Sequence, residues 1–510
     1  MIKRQGYFGS KKRALLTPRA HSSYAIPQVG YQSMQLVSPR PALVAALALG
    51  TGIFASLSSA QGQDVQSLTE VLARAYETSP ALGAARAGQR ATDENLPQAQ
   101  SNLFRPTITV NAREGRSVVR QEEKDSNALG AIDTRTRTST RDSTYGYTLS
   151  LPLFRGGQTI AEIDEAESAI AAGQANLTQT EISVLAAAIS AYADVVYYRA
   201  VSTLGAQTVT NYQQRVDRTR DELEAQRRTV SDLALFRSSL ATSQKSLAAA
   251  EGEKRAAESA FEAISGLRPT TLERWPSLSE LPASLEGAIS TAKANNPTIR
   301  AATHTIDENE AAVRAAEGVL FPQVSLVQSF TREHDNARYR GGAQPYDQID
   351  QEDTWSAGVT LSMPLYAGGE NHSVVREKKQ SLSQARLTLA NAQLTVEQAV
   401  TAAWERLVAQ REGLAFAQQN VQALEDAFEA VEFQYGRGDA TGRNLIDVID
   451  ERDTARISVE AAQRAVLLAE STLLQATGQL TAVALALPVD LYDPEVHLRK
   501  VDGKLFGLGD

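Results

Sequence analysis

The chain of 510 residues has no cysteine, few aromatic residues and no acidic residue among its first 60 positions. Without cysteine it cannot use disulfides, on which many small secreted domains rely. Aromatics make up only 6% of the residues, which argues against the three or four globular domains that the length would allow. The abundant residues are Ala, Glu, Gln, Arg, Leu and Val, a composition typical of long helices that pack through small side chains.

The first 60 residues predict a secretory signal peptide. Seven basic residues accompany an apolar run at 42–57, and Ser58-Ser59-Ala60 fits a small-residue cleavage site. Met34 is an alternative start that would leave a signal of 27 residues. Removal of residues 1–60 takes away seven positive charges, so the net charge of −9 becomes −16 in the mature chain. This charge disfavours nucleic acid as a partner.

The two halves of the chain share a pattern that recurs after about 210 residues. Leu-Ser-Leu-Pro-Leu-Phe-Arg-Gly-Gly at 149–157 returns as Leu-Ser-Met-Pro-Leu-Tyr-Ala-Gly-Gly at 361–369. This period is too long for a solenoid of short repeats. We therefore predict two repeat units, at 61–270 and 284–485. A linker at 271–283 joins them, and a C-terminal tail at 486–510 follows.

Each unit is predicted to begin with two helices and to continue with two strands. Ser67 and Ser284 are placed as N-caps of the first helices, and prolines 80 and 297 begin second helices that run to residues 102 and 320. A period of two then predicts four amphipathic strands of about 10 residues. The polar connections 115–142 and 332–353 are predicted to be exposed loops, although alternation at 134–137 could extend the second strand.

Long antiparallel helix pairs are predicted to follow the strands. Residues 156–227 would form one helix of 72 residues that returns along 232–265. In the second unit apolar residues recur every seven positions from Val400 to Tyr435, as in a coiled coil, before a return helix at 442–477. No apolar run of about 18 residues follows residue 60, which predicts no transmembrane helix.

The four strands imply an assembly of several chains. Four strands cannot close a barrel, and open sheet edges are not tolerated in lipid. Three copies would supply 12 strands, with apolar faces toward lipid and polar faces toward a wet lumen. An interfacial aromatic girdle is predicted at Tyr145, Tyr147, Phe330 and Trp355. The helices would extend the pore into an aqueous compartment.

This layout resembles the TolC family of outer-membrane factors over nearly all of the mature chain, from about Ser67 onward. The resemblance rests on the duplicated opening, the order of helix lengths and two strand-to-helix corners, whose residues are Pro152, Gly156, Gly157, Pro364, Gly368 and Gly369. It implies an α+β membrane fold. In this fold a homotrimeric 12-stranded outer-membrane β-barrel, with four strands per chain, is continued by a long periplasmic α-helical coiled-coil barrel.

The resemblance also implies a function, that of the exit duct of a tripartite export machine with a periplasmic adaptor and an inner-membrane transporter. The tail at 492–497 and 504–507 is similar to that of the type I secretion branch, which would work with an ABC transporter. The missing cysteine points the same way, because the multidrug branch carries an acylated N-terminal Cys. Multidrug efflux is the alternative. A periplasmic coiled-coil adaptor without a pore is the alternative from another class, and the amphipathic hairpins disfavour it.

In this family a gate lies at the turn of the second coiled coil, with a motif like Tyr-x-x-Gly-x-Arg-Thr-x-x-Asp-x-x-Asp. The stretch 435–447 matches at four positions, whereas Ala440 replaces the basic residue and Asn444 the first carboxylate. In the first unit Ala234 stands where an Asp is expected, with Asp232 close by. The resemblance therefore implies a periplasmic gate and pore constriction formed by Asp447, Asn444, Thr441, Tyr435 and Asp232. Three Asp447 side chains around a threefold axis would attract cations.

No residue pattern points to an enzyme, a cofactor or a metal site. The five histidines are scattered without the spacing of metal ligands, and no Ser/His/Asp nucleophile motif is present. The Gly-Gly corners lack the Lys-Ser/Thr of a phosphate-binding loop. The Arg/Thr run at 134–141 could contact lipopolysaccharide phosphates, but a solvated loop is the favoured interpretation.

Overall fold

The computed structural model describes residues 65–127, 130–278, 281–341 and 345–507. The predicted signal peptide and Met34 lie outside these residues. The first half contains β1 (Val65–Gln66), α1 (Leu68–Thr78), α2 (Pro80–Asp93), α3 (Asn95–Gln100), β2 (Thr107–Asn127), β3 (Gly130–Arg155), α4 (Gln158–Glu224) and α5 (Val230–Ser265). The second half contains β4 (Thr271–Leu272), α6 (Leu285–Asn295), α7 (Pro297–Gly318), β5 (Gln323–Arg340), β6 (Tyr346–Ser362), α8 (Glu370–Arg437) and α9 (Gly442–Thr477), and α10 (Glu495–Val501) follows.

Local capping explains where the short helices begin. The Ser67 hydroxyl accepts a hydrogen bond from the Glu70 N–H at 3.2 Å, and Ser284 accepts one from the Gly287 N–H at 3.1 Å. Prolines 80 and 297 occupy the first turns of α2 and α7. The prediction of one continuous helix after Pro80 was wrong, because the chain breaks at Glu94 into α2 and α3. Pro97 supplies the reason, since a proline fits the first turn of a new helix but not a helix interior.

The strands are about twice as long as predicted, with 21, 26, 18 and 17 residues in β2, β3, β5 and β6. They form one antiparallel sheet in the order β2-β3-β5-β6. The prediction that 115–142 and 332–353 are exposed loops was wrong. Both segments continue the antiparallel strand pairing, as far as the pairs Asn127↔Gly130 and Tyr339↔Tyr346. A polar segment forms a strand when its backbone groups find ladder partners, so the missing apolar pattern indicates exposure rather than the end of the strand.

Alternation along the strands gives the sheet two unlike faces. The apolar face carries Ile108, Val110, Leu149, Phe330, Trp355 and Val359, and the polar face carries Thr109, Thr148, Ser329 and Ser356. On the apolar face Val110 is 77% exposed and Trp355 is 65% exposed. A contiguous exposed apolar surface of this kind marks contact with lipid or another protein. Within the described residues, the outer edges of β2 and β6 have no partner strand.

Two helices of about 100 Å dominate the rest of the fold, α4 with 67 residues and α8 with 68. α4 packs against α5, α7 and α9, and α8 packs against α7 and α9. The period-seven row of α8 faces this packing, because Val400, Leu407 and Tyr435 are buried and the positions between them are half-buried. The return helix of the second half coincides with the predicted 442–477.

In the described part of the chain, α4 is the single helix with a stretch long and apolar enough to cross a membrane by length and composition. The sequence analysis looked for an uninterrupted apolar run of about 18 residues, and this stretch is not one. Charged residues such as Asp194 interrupt this part of α4, so it does not stand out as an unbroken apolar run. Leu185, Ile189 and Tyr192 of α4 are fully buried in the helical core, and a core helix meets the same criteria.

Candidate gate at the helical hairpin tips

The turn between α4 and α5 and the turn between α8 and α9 lie against each other. One buried apolar cluster joins all four helices at this end, and we call it the tip cluster: Tyr212, Val216, Leu233, Phe236, Tyr435, Ala440, Leu445, Ile446 and Ile449. The rings of Phe236 and Tyr435 meet edge to face, with centroids 6.1 Å apart. The predicted gate residue Tyr435 is thus a packing residue between the two hairpins.

Asp232 caps the first tip. The Thr229 side chain and Asp232 form a capping box, in which the Asp232 N–H donates to the Thr229 hydroxyl at 3.1 Å and Asp232 accepts from the Thr229 N–H at 3.3 Å. Asp232 also lies against Gly442, since a Cβ at Gly442 would be 2.8 Å from Asp232 Oδ1. The structure therefore places Asp232 at the contact between the two tips.

The second tip is built from a glycine and a threonine cap. Gly438 ends α8 in the left-handed conformation with φ 87°, which a glycine adopts without strain. The Thr441 hydroxyl accepts from the Asn444 N–H at 3.2 Å and donates to Asn444 Oδ1 at 2.6 Å. Thr441 and Asn444 thus hydrogen-bond to each other. Asn444, which replaces the first carboxylate of the family motif, therefore takes part in capping α9.

Asp447 lies exposed on α9, six residues beyond the Thr441 cap. Its carboxylate pairs with Arg443, with 3.4 Å between Arg443 Nε and Asp447 Oδ1. An i,i+4 pair of exposed side chains is worth a few tenths of a kcal/mol and is screened by salt. Arg443 therefore offsets part of the negative charge that three Asp447 side chains would place around a threefold axis.

Arg228 makes the closest contact between the tips, and the sequence analysis missed it. Its guanidinium carbon lies 3.8 Å from the centroid of the Tyr435 ring, and Nη2 donates to the Tyr435 carbonyl oxygen at 2.6 Å. Nε donates to Glu222 at 3.0 Å. Burial raises the pKa of the Tyr435 phenol, and the Arg228 charge opposes that shift. Aligning the caps Thr229 and Thr441 would have placed Arg228 opposite Ala440, the position of the missing basic residue.

A ladder of polar contacts continues from the tips along α4. The Tyr212 hydroxyl donates to Asp450 at 2.7 Å, and the Thr208 hydroxyl donates to Asp453 at 2.5 Å. Arg215 donates to Glu432 of α8 at 2.6 Å. Burial, followed by the hydrogen bond to Asp450, raises the pKa of the Tyr212 phenol above its ordinary value. These contacts fix the first hairpin to the second over several turns.

The four predicted girdle aromatics lie on two successive rungs of the apolar face. Tyr147, Phe330 and Trp355 share one rung, and Tyr145 lies on the next beside Arg332. The ring centroids of Tyr147 and Phe330 are 6.1 Å apart. A level band of aromatics on an apolar sheet face is typical of a membrane–water interface.

The two Gly-Gly corners connect strands to long helices. Gly156 and Gly157 have φ of 63° and 83° between β3 and α4, and Gly368 and Gly369 have φ of 64° and 88° before α8. A Cβ at Gly156 would lie 2.2 Å from the Gly318 carbonyl oxygen, so this position also needs glycine for close approach. Of the other predicted corner residues, Pro152 lies beside an irregularity in the β3–β5 ladder, and Pro364 follows β6.

An amphipathic sheet with open edges, continued by long helices with joined tips, defines a membrane-embedded channel with an aqueous helical extension. A family model described as "Outer membrane efflux protein" matches residues 71–267 and 288–484, and the chain belongs to this family. The chain is 30% identical over 473 residues to "Outer membrane efflux protein BepC" of Brucella suis biovar 1 (strain 1330), covering 91% of this chain and 96% of that protein.

Solved structures show the same fold. The Campylobacter jejuni CmeC outer membrane channel matches with a TM-score of 0.68 and 15% identity, over 86% of this chain and 89% of that one. The outer-membrane channel OprN matches with a TM-score of 0.64 and 18% identity, over 81% and 89%. The expected family, fold class and outer-membrane location are confirmed. The protein is an outer-membrane efflux channel of a tripartite system, with its helical domain in the periplasm.

Proposed function

We propose that three copies of this chain form the exit duct of a tripartite export machine. The observation that carries the proposal is the pair of open edges on an amphipathic four-stranded sheet. If β6 of one copy pairs with β2 of the next, every added contact is antiparallel and 12 strands close without an edge. The apolar faces would contact lipid, and the polar faces would line the lumen.

The gate is proposed to lie at the tip cluster. Tyr435 and Asp232 hold the two hairpins of one chain together, and Thr441 and Asn444 fix the turn from which Asp447 projects. Three such turns around the axis would form the constriction. Movement of the α8–α9 hairpin away from α4 and α5 would break the Arg228–Tyr435 contact, so this contact favours the closed state.

Within the export class we favour type I protein secretion, with a periplasmic adaptor and an ABC transporter as partners. The support is the C-terminal tail, whose pattern resembles that branch and which is packed rather than extended. The Arg86 guanidinium carbon lies 5.1 Å from the ring centroid of Tyr492 and 4.6 Å from that of Tyr76, and His497 Nδ1 lies 3.0 Å from the buried Asp93 carboxylate.

Multidrug efflux is the second candidate, because the relative BepC is described as an efflux protein. The two candidates differ in cargo. Deletion of the gene should abolish export of a secreted protein under the first proposal and leave the minimal inhibitory concentrations of drugs unchanged. The reverse pattern would assign the channel to drug efflux.

The channel itself is tested with purified protein. A detergent-extracted trimer should raise the conductance of planar lipid bilayers in discrete steps. A water-soluble monomer without heat-modifiable oligomers would contradict the proposal and would revive the periplasmic adaptor as an alternative, although the exposed apolar sheet face and the family match argue against an adaptor.

A further inference from the structure

Beyond the aromatic girdle, the apolar face of the sheet becomes rich in arginine. The strands continue past the Tyr145 rung, and the alternation keeps the following residues on the same face. We call the seven arginines there the arginine patch: Arg116, Arg120, Arg135, Arg137, Arg141, Arg338 and Arg340. Arg116 lies four residues beyond Ala112 of the Tyr145 rung, roughly 13 Å along the strand. The patch therefore begins just above the interface that the girdle marks.

The strand register places like charges directly opposite each other in this patch. Arg116 pairs with Arg141, and Arg137 lies between Arg120 and Arg340. Directly opposed like charges destabilise a sheet. Among the described side chains on this part of the face, three carboxylates pair with members of the patch: Glu114, Glu122 and Asp347. Among the described side chains, the arginines of the patch therefore outnumber the carboxylates that pair with them.

The opposite face has the opposite charge at the same level. Asp142, Asp335 and Asp350 lie on one rung of the polar face, and Glu333 and Glu352 lie on the next. A surface that only needed solubility would mix the two signs on each face. At this level the arginines lie on the lipid-facing side, apart from Arg113, whereas the acidic residues are divided between the two sides. The sorting of the arginines indicates an anionic partner outside the barrel.

The patch also has the donors that phosphate groups require. Arg116, Arg141 and Arg338 line a concavity of about 170 Å³ together with Ser139 and Asn336. Guanidinium groups bind phosphate oxygens through two parallel N–H donors, and a hydroxyl and an amide add neutral donors. The concavity opens on the exposed surface of the sheet, where a headgroup could enter from the side.

We infer that the arginine patch binds the phosphates of lipopolysaccharide in the outer leaflet. The inference rests on the proposed function, because that function turns the apolar face toward lipid. The layer directly above the acyl chains on this face is then the headgroup layer of the outer leaflet, where lipopolysaccharide carries its phosphates. The favoured interpretation of residues 134–141 as a solvated loop is replaced by a strand that presents Arg135, Arg137 and Arg141 to this layer.

The test compares the binding of two lipids to the purified trimer by native mass spectrometry. Diphosphorylated lipid A should bind at least tenfold more tightly than the same lipid A with its phosphates removed. The triple variant Arg116→Gln/Arg141→Gln/Arg338→Gln should lose this preference. Arg113→Gln is the matched control, since Arg113 lies on the same strand three residues from Arg116 but on the polar face. This control should bind lipid A as the unsubstituted protein does.

Equal binding of both lipids by the unsubstituted trimer would overturn the inference. That comparison needs no substitution and decides the matter even if the triple variant fails to fold. Equal retention of lipid A by the triple variant and the Arg113→Gln control would also overturn it. The proposed function fails separately, if the unsubstituted protein gives no trimer or no conductance in phospholipid bilayers free of lipopolysaccharide.

Discussion

Replacing Arg228 by Gln should release the two hairpin tips and increase the open fraction of the channel. Arg228 lies on the first hairpin and both of its inter-hairpin contacts are to Tyr435 of the second, one to the ring and one to the carbonyl oxygen. Its contact with Glu222 stays within the first hairpin and survives opening. The substitution therefore removes contacts that exist only while the hairpins lie together.

The size of the effect follows from the burial of these groups. Only 15% of the Arg228 side chain is exposed, so the cation–π contact is worth about 1 kcal/mol, above the value for a fully solvated pair. A hydrogen bond from a charged donor adds about 1.5 kcal/mol. Part of this is regained as the freed groups meet water, which leaves about 2 kcal/mol. Each chain would then shift its closed-to-open ratio by roughly 30-fold.

Single-channel recording in planar bilayers measures this shift as a longer open time and a larger mean conductance. Arg227→Gln removes the same charge from the exposed neighbouring position and should leave gating unchanged. Arg228→Lys keeps the charge but loses the planar stacking and the forked donor, so it should fall between the two. An Arg228→Gln trimer with unaltered gating would refute the assignment of this contact to the closed state.

Three further predictions concern other parts of the molecule. Asp447→Ala should lower the ratio of cation to anion permeability, and Arg443→Ala should raise it, as measured by reversal potentials in a salt gradient. Unchanged reversal potentials in both variants would show that Asp447 does not lie at the constriction. His497→Ala should lower the free energy of unfolding by about 2 kcal/mol in urea titrations, because it removes one hydrogen-bond partner of the fully buried Asp93 carboxylate. An unchanged free energy of unfolding would show that His497 does not anchor the C-terminal tail at Asp93. Burial, with a neighbouring carboxylate on α4, raises the pKa of Glu308 above its ordinary value of 4.5. Between the unfolded and the folded pKa, the folded state therefore holds more protons than the unfolded chain. The free energy of unfolding should fall as the pH rises through this range. Glu308→Gln should flatten that dependence in thermal melts, and an unchanged slope would contradict it.

Contacts within a few residues of each other were predictable, and contacts between distant segments were not. Ser67 and Ser284 lie three residues from the N–H groups they cap, so pattern alone places them. Arg228 and Tyr435 are separated by 207 positions, and no local pattern links them. The Asp447–Arg443 pair shows an intermediate case, because i,i+4 spacing on a helix would have revealed it.

The strand lengths were missed for a different physical reason. Apolar alternation reports burial in lipid or in a core, whereas strand formation requires only that backbone groups find partners. Residues 115–127 have little apolar alternation and still pair with β3 as far as Asn127↔Gly130. The apolar pattern therefore located the part of the hairpin that contacts lipid and left out the part beyond it.

The open edges of β2 and β6 have a consequence for biogenesis. A single chain that crosses the periplasm would present 21 residues of β2 and 17 of β6 as templates for incorrect strand addition. Since the edges are satisfied only when the ring closes, folding of the sheet and association of the chains are one event, and its rate depends on protomer concentration. Low expression would then favour degradation over slow assembly. The charged outer halves of β2 and β6 keep these edges soluble during the search for partners.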